Sequence, residues 1–138
     1  LLCLFSSIGY LHGEGALRSG LRCFARALRP GGVLVIEPWI ARETFREGHV
    51  HLDTYASDDV KIARASHSSL RGELAVVDFH WVVARTGRGV EHFTESHHLW
   101  FCPRGTMTAA LADAGFSARF RDEGLTPGRG LWVAKHDH

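Results

Sequence analysis

The sequence predicts an α/β chain: a βαβ unit, then an antiparallel sheet, then a closing helix and two strands. Three observations predict it. Residues 1–5 and 33–36 are short, continuously apolar runs, the pattern of strands buried on both faces. Between them Leu17, Leu21, Phe24 and Leu28 recur at spacings of four, three and four, which makes one helical stripe. After about residue 45 the apolar period drops to two, as in sheet exposed on one side.

The elements follow in order. Ser6-Ser7-Ile8-Gly9-Tyr10 is a turn-prone exit from the first strand. The helix spans roughly 13–28, and Pro30-Gly31-Gly32 stops it. The strand at 33–36 ends in Glu37-Pro38-Trp39, so strand, helix and strand form a unit with a parallel pair. Residues 49–55, 60–68, 73–85 and 90–101 read as strands, with turns at 69–72 and 86–89. In the third of these, Ala75, Val77, Phe79, Trp81 and Val83 share one face. A helix opens at Pro103 to Thr106 with Met107, Ala110, Leu111 and Ala114 on one side, and Gly115 ends it. Strands at 116–121 and 130–135 flank a Gly/Pro-rich loop at 123–129.

Composition narrows the function. The 138 residues suit one domain by size, and 45% hydrophobic content suits a folded one. A formal charge of +1 gives no footprint for nucleic acid. Arginine supplies 14 of the 16 cationic side chains, a bias usual in GC-rich bacterial genomes. No apolar run is long enough for a membrane helix, and no secretory-signal pattern opens the chain. Cys3, Cys23 and Cys102 are scattered, which fits a reduced, cytoplasmic setting. The chain opens on Leu1 inside an apolar run, and the expectation is a piece that begins mid-fold.

Ligands of open α/β sheets bind beyond the carboxyl ends of the parallel strands. Ser6, Ser7 and Tyr10 follow one such end and Glu37 the other. An ordinary βαβ unit with capped strand ends would look the same.

Five strings together sharpen the reading. They are Leu28-Arg29-Pro30-Gly31-Gly32, Phe5-Ser6-Ser7-Ile8-Gly9-Tyr10, Ile36-Glu37-Pro38-Trp39, Ala65-Ser66-His67-Ser68-Ser69 and Pro127-Gly128-Arg129-Gly130-Leu131. The first is similar to the region between the fourth and fifth strands of class I S-adenosylmethionine-dependent methyltransferases. The set resembles the nucleotide-sugar N,N-dimethyltransferases of antibiotic biosynthesis, which act on TDP-3-amino-3,6-dideoxyhexoses. The likeness covers nearly the whole chain. It implies the C-terminal half of a Rossmann-like class I methyltransferase fold with an inserted antiparallel β-sheet. Residues 1–45 would be the βαβ part of the cofactor domain, 46–102 the inserted substrate and dimer region, and 103–138 the closing helix and hairpin.

The resemblance also implies roles. Phe5, Ser6, Ser7 and Ile8 would border S-adenosylmethionine. Tyr10 stands where the family presents a polar ring to the acceptor amine. Some members carry histidine there; here the nearest is His12, so the identity of a base stays open between Tyr10, His12 and none. Glu37 would hold the amino-sugar by a charge-assisted bond, or else form a structural ion pair. Arg129 matches the family's late arginine beside the substrate and would grip a diphosphate. Ser66, His67 and Ser68 would lie in the inserted sheet, which helps form the homodimer and the nucleotide-sugar site. The family's Gly-rich cofactor loop and its acid for the ribose hydroxyls have no counterpart in these residues. The expectation is therefore weak cofactor binding by this piece alone, and aggregation through an open sheet edge.

Rival readings remain. His49/His51, His97/His98 and His136/His138 are close pairs, but no cysteine or acid stands at a familiar zinc spacing, and no metal is expected. A non-catalytic binding or dimerisation module built on a degenerate methyltransferase fold is one alternative. A class I methyltransferase with another small-molecule acceptor is the other.

Overall fold

A computed structural model describes residues 1–137. The chain divides into two compact units, Leu1–Phe45 with Leu99–His138, and Arg46–His98.

The first unit holds a four-stranded sheet in the order β1-β2-β8-β7. β1 (Leu2–Cys3) runs parallel to β2 (Val33–Ile36), with Leu2 beside Val35 and Cys3 beside Ile36. α1 (Glu14–Ala27) makes the crossover between them. β8 (Leu131–His136) lies antiparallel to β2 and to β7 (Phe116–Arg121). α2 (Arg104–Asp113) packs against α1 and β7. The predicted parallel pair and closing strands are both present.

Burial in this sheet alternates. Cys3, Leu34, Ile36, Trp132 and Ala134 are buried, whereas Leu2 and Val33 are exposed. The register explains the pattern: Leu34 stands beside Ala134 and Ile36 beside Trp132, so one face is apolar and covered. Strands buried on both faces were expected at 1–5 and 33–36; the described residues cover only one. Leu17, Leu21, Met107 and Leu111 are fully buried on the two helices. Each such side chain contributes about 1.5–3 kcal/mol relative to exposure.

The second unit is a meander, β3-β4-β5-β6 in chain order. β3 (Val50–Ala56), β4 (Val60–Arg71) and β5 (Leu74–Arg85) pair antiparallel, and β6 (Gly89–Trp100) completes the sheet. The strands outrun the expected turn at 69–72, because Arg71 pairs with Leu74 and only Gly72 and Glu73 remain to turn. Gly72 has φ +60°, which the first position of a tight hairpin asks for. Ala75, Val76 and Val77 are all buried, so β5 begins with both faces covered rather than one.

Candidate functional site

The site of interest lies at the carboxyl ends of the parallel pair. β1 does not continue through residue 5 as expected. Leu4 leaves the strand, and Phe5 and Ser6 both take left-handed backbone angles, φ +52° and +61°. Neither is glycine, and each costs on the order of 1–2 kcal/mol in that conformation. A short 3₁₀ turn, Ser7–Tyr10, then leads toward α1.

Side chains from distant positions hold this turn. The Phe5 N–H donates to Glu37 Oε2 at 2.8 Å. The Ser6 hydroxyl donates to the Pro38 carbonyl at 3.1 Å and accepts from Arg129 Nη1 at 2.9 Å. The Thr126 N–H donates to Glu37 Oε1 at 3.0 Å. The Arg129 guanidinium lies over the Trp39 ring, 5.0 Å from its centroid. Three chain segments thus meet at one buried carboxylate.

Glu37 is 1% exposed. Burial pushes its carboxyl pKa up, but the bonds from Thr126 and Phe5 and the nearby Arg129 charge outweigh that, and the net shift is downward. Glu37 therefore stays ionised. Beside it a cavity of about 180 Å³ is lined by Trp39, Arg104, Phe120, Asp122, Arg129 and Trp132. Arg104 lies over Phe120 at 3.8 Å and bonds Asp122 at 3.2 Å. Cys102 also borders the cavity; burial, with Glu14 nearby, pushes its thiol up to about 12, so it is no nucleophile at neutral pH.

No family model matches the chain. A dTDP-3-amino-3,6-dideoxy-alpha-D-glucopyranose N,N-dimethyltransferase of Streptomyces fradiae is 39% identical over 131 residues, which is 95% of this chain and 51% of that protein. Among solved structures, Streptomyces venezuelae DesVI superposes with a TM-score of 0.90 at 38% identity, covering 96% of this chain and 56% of that one. S-adenosylmethionine-bound CalS10, an amino pentose methyltransferase from Micromonospora echinaspora involved in calicheamicin biosynthesis, gives 0.83 at 32% identity. That match covers 98% of this chain and 56% of CalS10. The fold is a class I methyltransferase fold, and the chain spans about half the length of the relatives it matches.

The structure brings Phe5, Ser6, Glu37 and Arg129 together. Phe5 presents its ring to solvent, 81% exposed, while Ser6 and Ile8 are buried and Ser7 is exposed. The Ser7 hydroxyl donates to the Leu4 carbonyl at 2.6 Å. Tyr10 is half-exposed at the end of the 3₁₀ turn. Glu37 accepts one backbone amide at each of its two oxygens, from Phe5 and from Thr126. Ser66, His67 and Ser68 lie on β4 in the other unit, opposite His51, Val50 and His49 respectively. Ser66 and Ser68 share one face and His67 takes the other. No group of three metal-ligating side chains occurs among the described residues. His138, of the pair with His136, lies outside them.

The sequence missed Thr126, Trp39 and the left-handed pair at 5–6. Thr126 bonds Glu37 through its hydroxyl as well as its backbone N–H, and a single threonine in a loop carries no pattern that points to a partner. Trp39 was visible only as part of a string. Its Nε1 is buried with no protein partner.

Proposed function

We propose that this chain is part of an S-adenosylmethionine-dependent N-methyltransferase acting on the amino group of a nucleotide-linked deoxyaminosugar. The observation that carries the reading is the 39% identity, over 95% of the chain, to a dTDP-aminosugar N,N-dimethyltransferase. The strand-end site supports it.

The residues present fit one side of the cofactor. Phe5 offers an exposed ring on a fixed backbone at the carboxyl end of β1, suited to stacking on an adenine, with Ser7 beside it. Ser6 and Ile8 support that wall from below, since both are buried. When bound, S-adenosylmethionine supplies an already activated sulfonium methyl. The chain's own task is then placement. Tyr10 would orient the acceptor amine by accepting a hydrogen bond from it at the ring oxygen, and the proton released on methylation would pass to water. Arg129 spends one donor on Ser6, and its remaining guanidinium donors are left to a diphosphate. Aligning amine and methyl at near-attack distance supplies most of the rate.

The three cysteines are free, in keeping with a cytoplasmic enzyme. No helix among the described residues is long and apolar enough to cross a membrane. We assign Ser66, His67 and Ser68 to the sugar-nucleotide side and the β3-β4-β5-β6 sheet to a homodimer contact in the full-length protein.

The test incubates full-length protein with S-adenosylmethionine and a dTDP-3-amino-3,6-dideoxyhexose and follows the sugar by mass spectrometry. A gain of one or two methyl groups is expected. Cofactor binding without methylation of any nucleotide-aminosugar would move the acceptor to another small molecule. No cofactor binding at all would end the enzyme reading.

A further inference from the structure

We propose that Glu37 is a positioning residue whose carboxylate holds the left-handed Phe5–Ser6 turn and the Thr126 loop as one unit. It thereby fixes the pose of the exposed Phe5 ring.

The geometry argues this in three steps. First, two consecutive non-glycine residues at positive φ do not persist without support. The turn's own bonds, Ser7 N–H and Ser7 Oγ to the Leu4 carbonyl, leave the Phe5 N–H unsatisfied. Glu37 Oε2 satisfies it from 32 residues away. Second, the other oxygen takes the Thr126 N–H, in the loop between β7 and β8. A carboxylate accepts at both oxygens, so one side chain clamps two amides that lie far apart in the sequence. Third, a parallel connection reinforces the first: Arg129, from that same loop, bonds the Ser6 hydroxyl, which in turn bonds the carbonyl next to Glu37. The turn, the exit of β2 and the loop are therefore cross-braced. Glu37 is buried, and each of its oxygens already accepts one of these amides, so its bonds to the turn and the loop are shielded from water.

The clamp rests on the geometry alone. Only its consequence for cofactor and sugar rests on the methyltransferase reading: the wall that meets the cofactor and the loop that meets the sugar would move together.

The test is hydrogen exchange at individual amides in the full-length protein, comparing wild type with Glu37→Gln. Glutamine offers one carbonyl oxygen and turns an NH2 toward the second amide, so both bonds cannot survive. Protection at Phe5 and Thr126 is expected to fall together, on the order of tenfold each, while Val35 in the β1–β2 ladder keeps its own. Thr126→Pro removes both bonds from Thr126, amide and hydroxyl, while Glu37 keeps its carboxylate and its bond to Phe5, which guards against misfolding of the first variant. It should still speed exchange at Phe5. Unchanged protection at both amides in Glu37→Gln would overturn the proposal, as would an unmoved Phe5 in Thr126→Pro. On the activity side, Glu37→Gln should raise KM for S-adenosylmethionine and for the sugar together, with a smaller change in kcat. Lost kcat with both amides still protected would make Glu37 a group that touches the amine, and would overturn the positioning role. A wild-type protein that methylates nothing would remove the proposed function and leave the exchange result standing.

Discussion

The two units of the chain solve the problem of apolar surface differently. The first folds its sheet under two helices, and Leu17, Leu21, Leu34, Ile36 and Leu111 vanish from solvent. The second is a single sheet with short polar turns. Ala75, Val76, Val77 and Val83 are buried there, but Val50, Leu52, Tyr55, Val90 and Phe93 stay exposed. In the first unit, a large side chain earns its place by packing. In the second, much of the apolar surface has no cover among the described residues, and its cross-strand neighbours hold it instead. Trp81 stacks on Phe93 at 5.8 Å, and Arg64 sits over Phe79 and Trp81 at 4.9 and 5.3 Å.

The largest effect expected from this contrast is a pair of truncations. Leu111→Ala, at a site with 0% exposure, should destabilise by about 2–5 kcal/mol, since it leaves a cavity in a closed core. Leu52→Ala, at 62% exposure, should change stability by no more than about 0.5 kcal/mol. Urea unfolding followed by tryptophan fluorescence measures both. Equal costs would break the comparison and mean that the open sheet is covered in solution. Sedimentation of the Leu52→Ala protein would then show whether a homodimer had been lost.

A second contrast concerns acid. Glu37 and Asp53 both have carboxyl pKa values below their ordinary range, for different reasons. For Glu37 burial raises the value, and the Thr126 hydroxyl, the Phe5 amide, Arg129 and the Thr126 amide outweigh it. For Asp53 it comes from bonds to Arg64 and then His51 on an exposed strand. A depressed folded-state pKa stabilises the fold above the unfolded value, and that gain is lost as pH falls through the folded value. Both groups should therefore contribute to acid destabilisation below the ordinary carboxylate range. Salt separates them: the exposed pair is screened and the buried carboxylate much less so. In high salt, Glu37→Gln should still flatten the acid limb of the stability curve, and Asp53→Asn should no longer do so. Equal salt sensitivity would mean that Glu37 is reached by solvent.

The same contrast marks how much the residues declare in advance. The α1 stripe, the Pro30-Gly31-Gly32 stop and the parallel pair follow from local spacing. So does the meander, because alternation along β5 and polar or glycine-bearing links between the strands mark it without distant help, although the exact turn between β4 and β5 did not follow. The strand-end turn could not be read that way. Nothing in Phe5-Ser6 marks left-handed backbone, since neither residue favours it; an acid 32 residues on and a loop 89 residues beyond that acid make it affordable. Glu37 was legible as an acid at a strand end. Its partners were not, because they are two backbone amides, which every residue but proline carries, and one threonine hydroxyl in a distant loop. Burial on both faces of β2 was expected from a continuous apolar run. A run reports only that its residues are apolar, and what covers them is decided by other segments.

The smallest effect sharpens the reading of the open sheet. Arg85 and Glu91 bond at 2.9 Å across the β5–β6 turn, both largely exposed. An exposed pair of this kind contributes about 0–1 kcal/mol, because solvent screens the attraction and two long side chains lose freedom. A double-mutant cycle with Arg85→Ala and Glu91→Ala should give a coupling in that range, shrinking further in salt. The pair's more useful property is its place. It closes the hairpin whose turn carries Gly87 and Gly89 at φ +73° and +82°, so register is already set by the loop. If the coupling instead exceeded about 2 kcal/mol and resisted salt, the turn end of the sheet would have to be shielded from solvent. The exposed ends of β5 and β6 would then belong to a contact, not to a free edge.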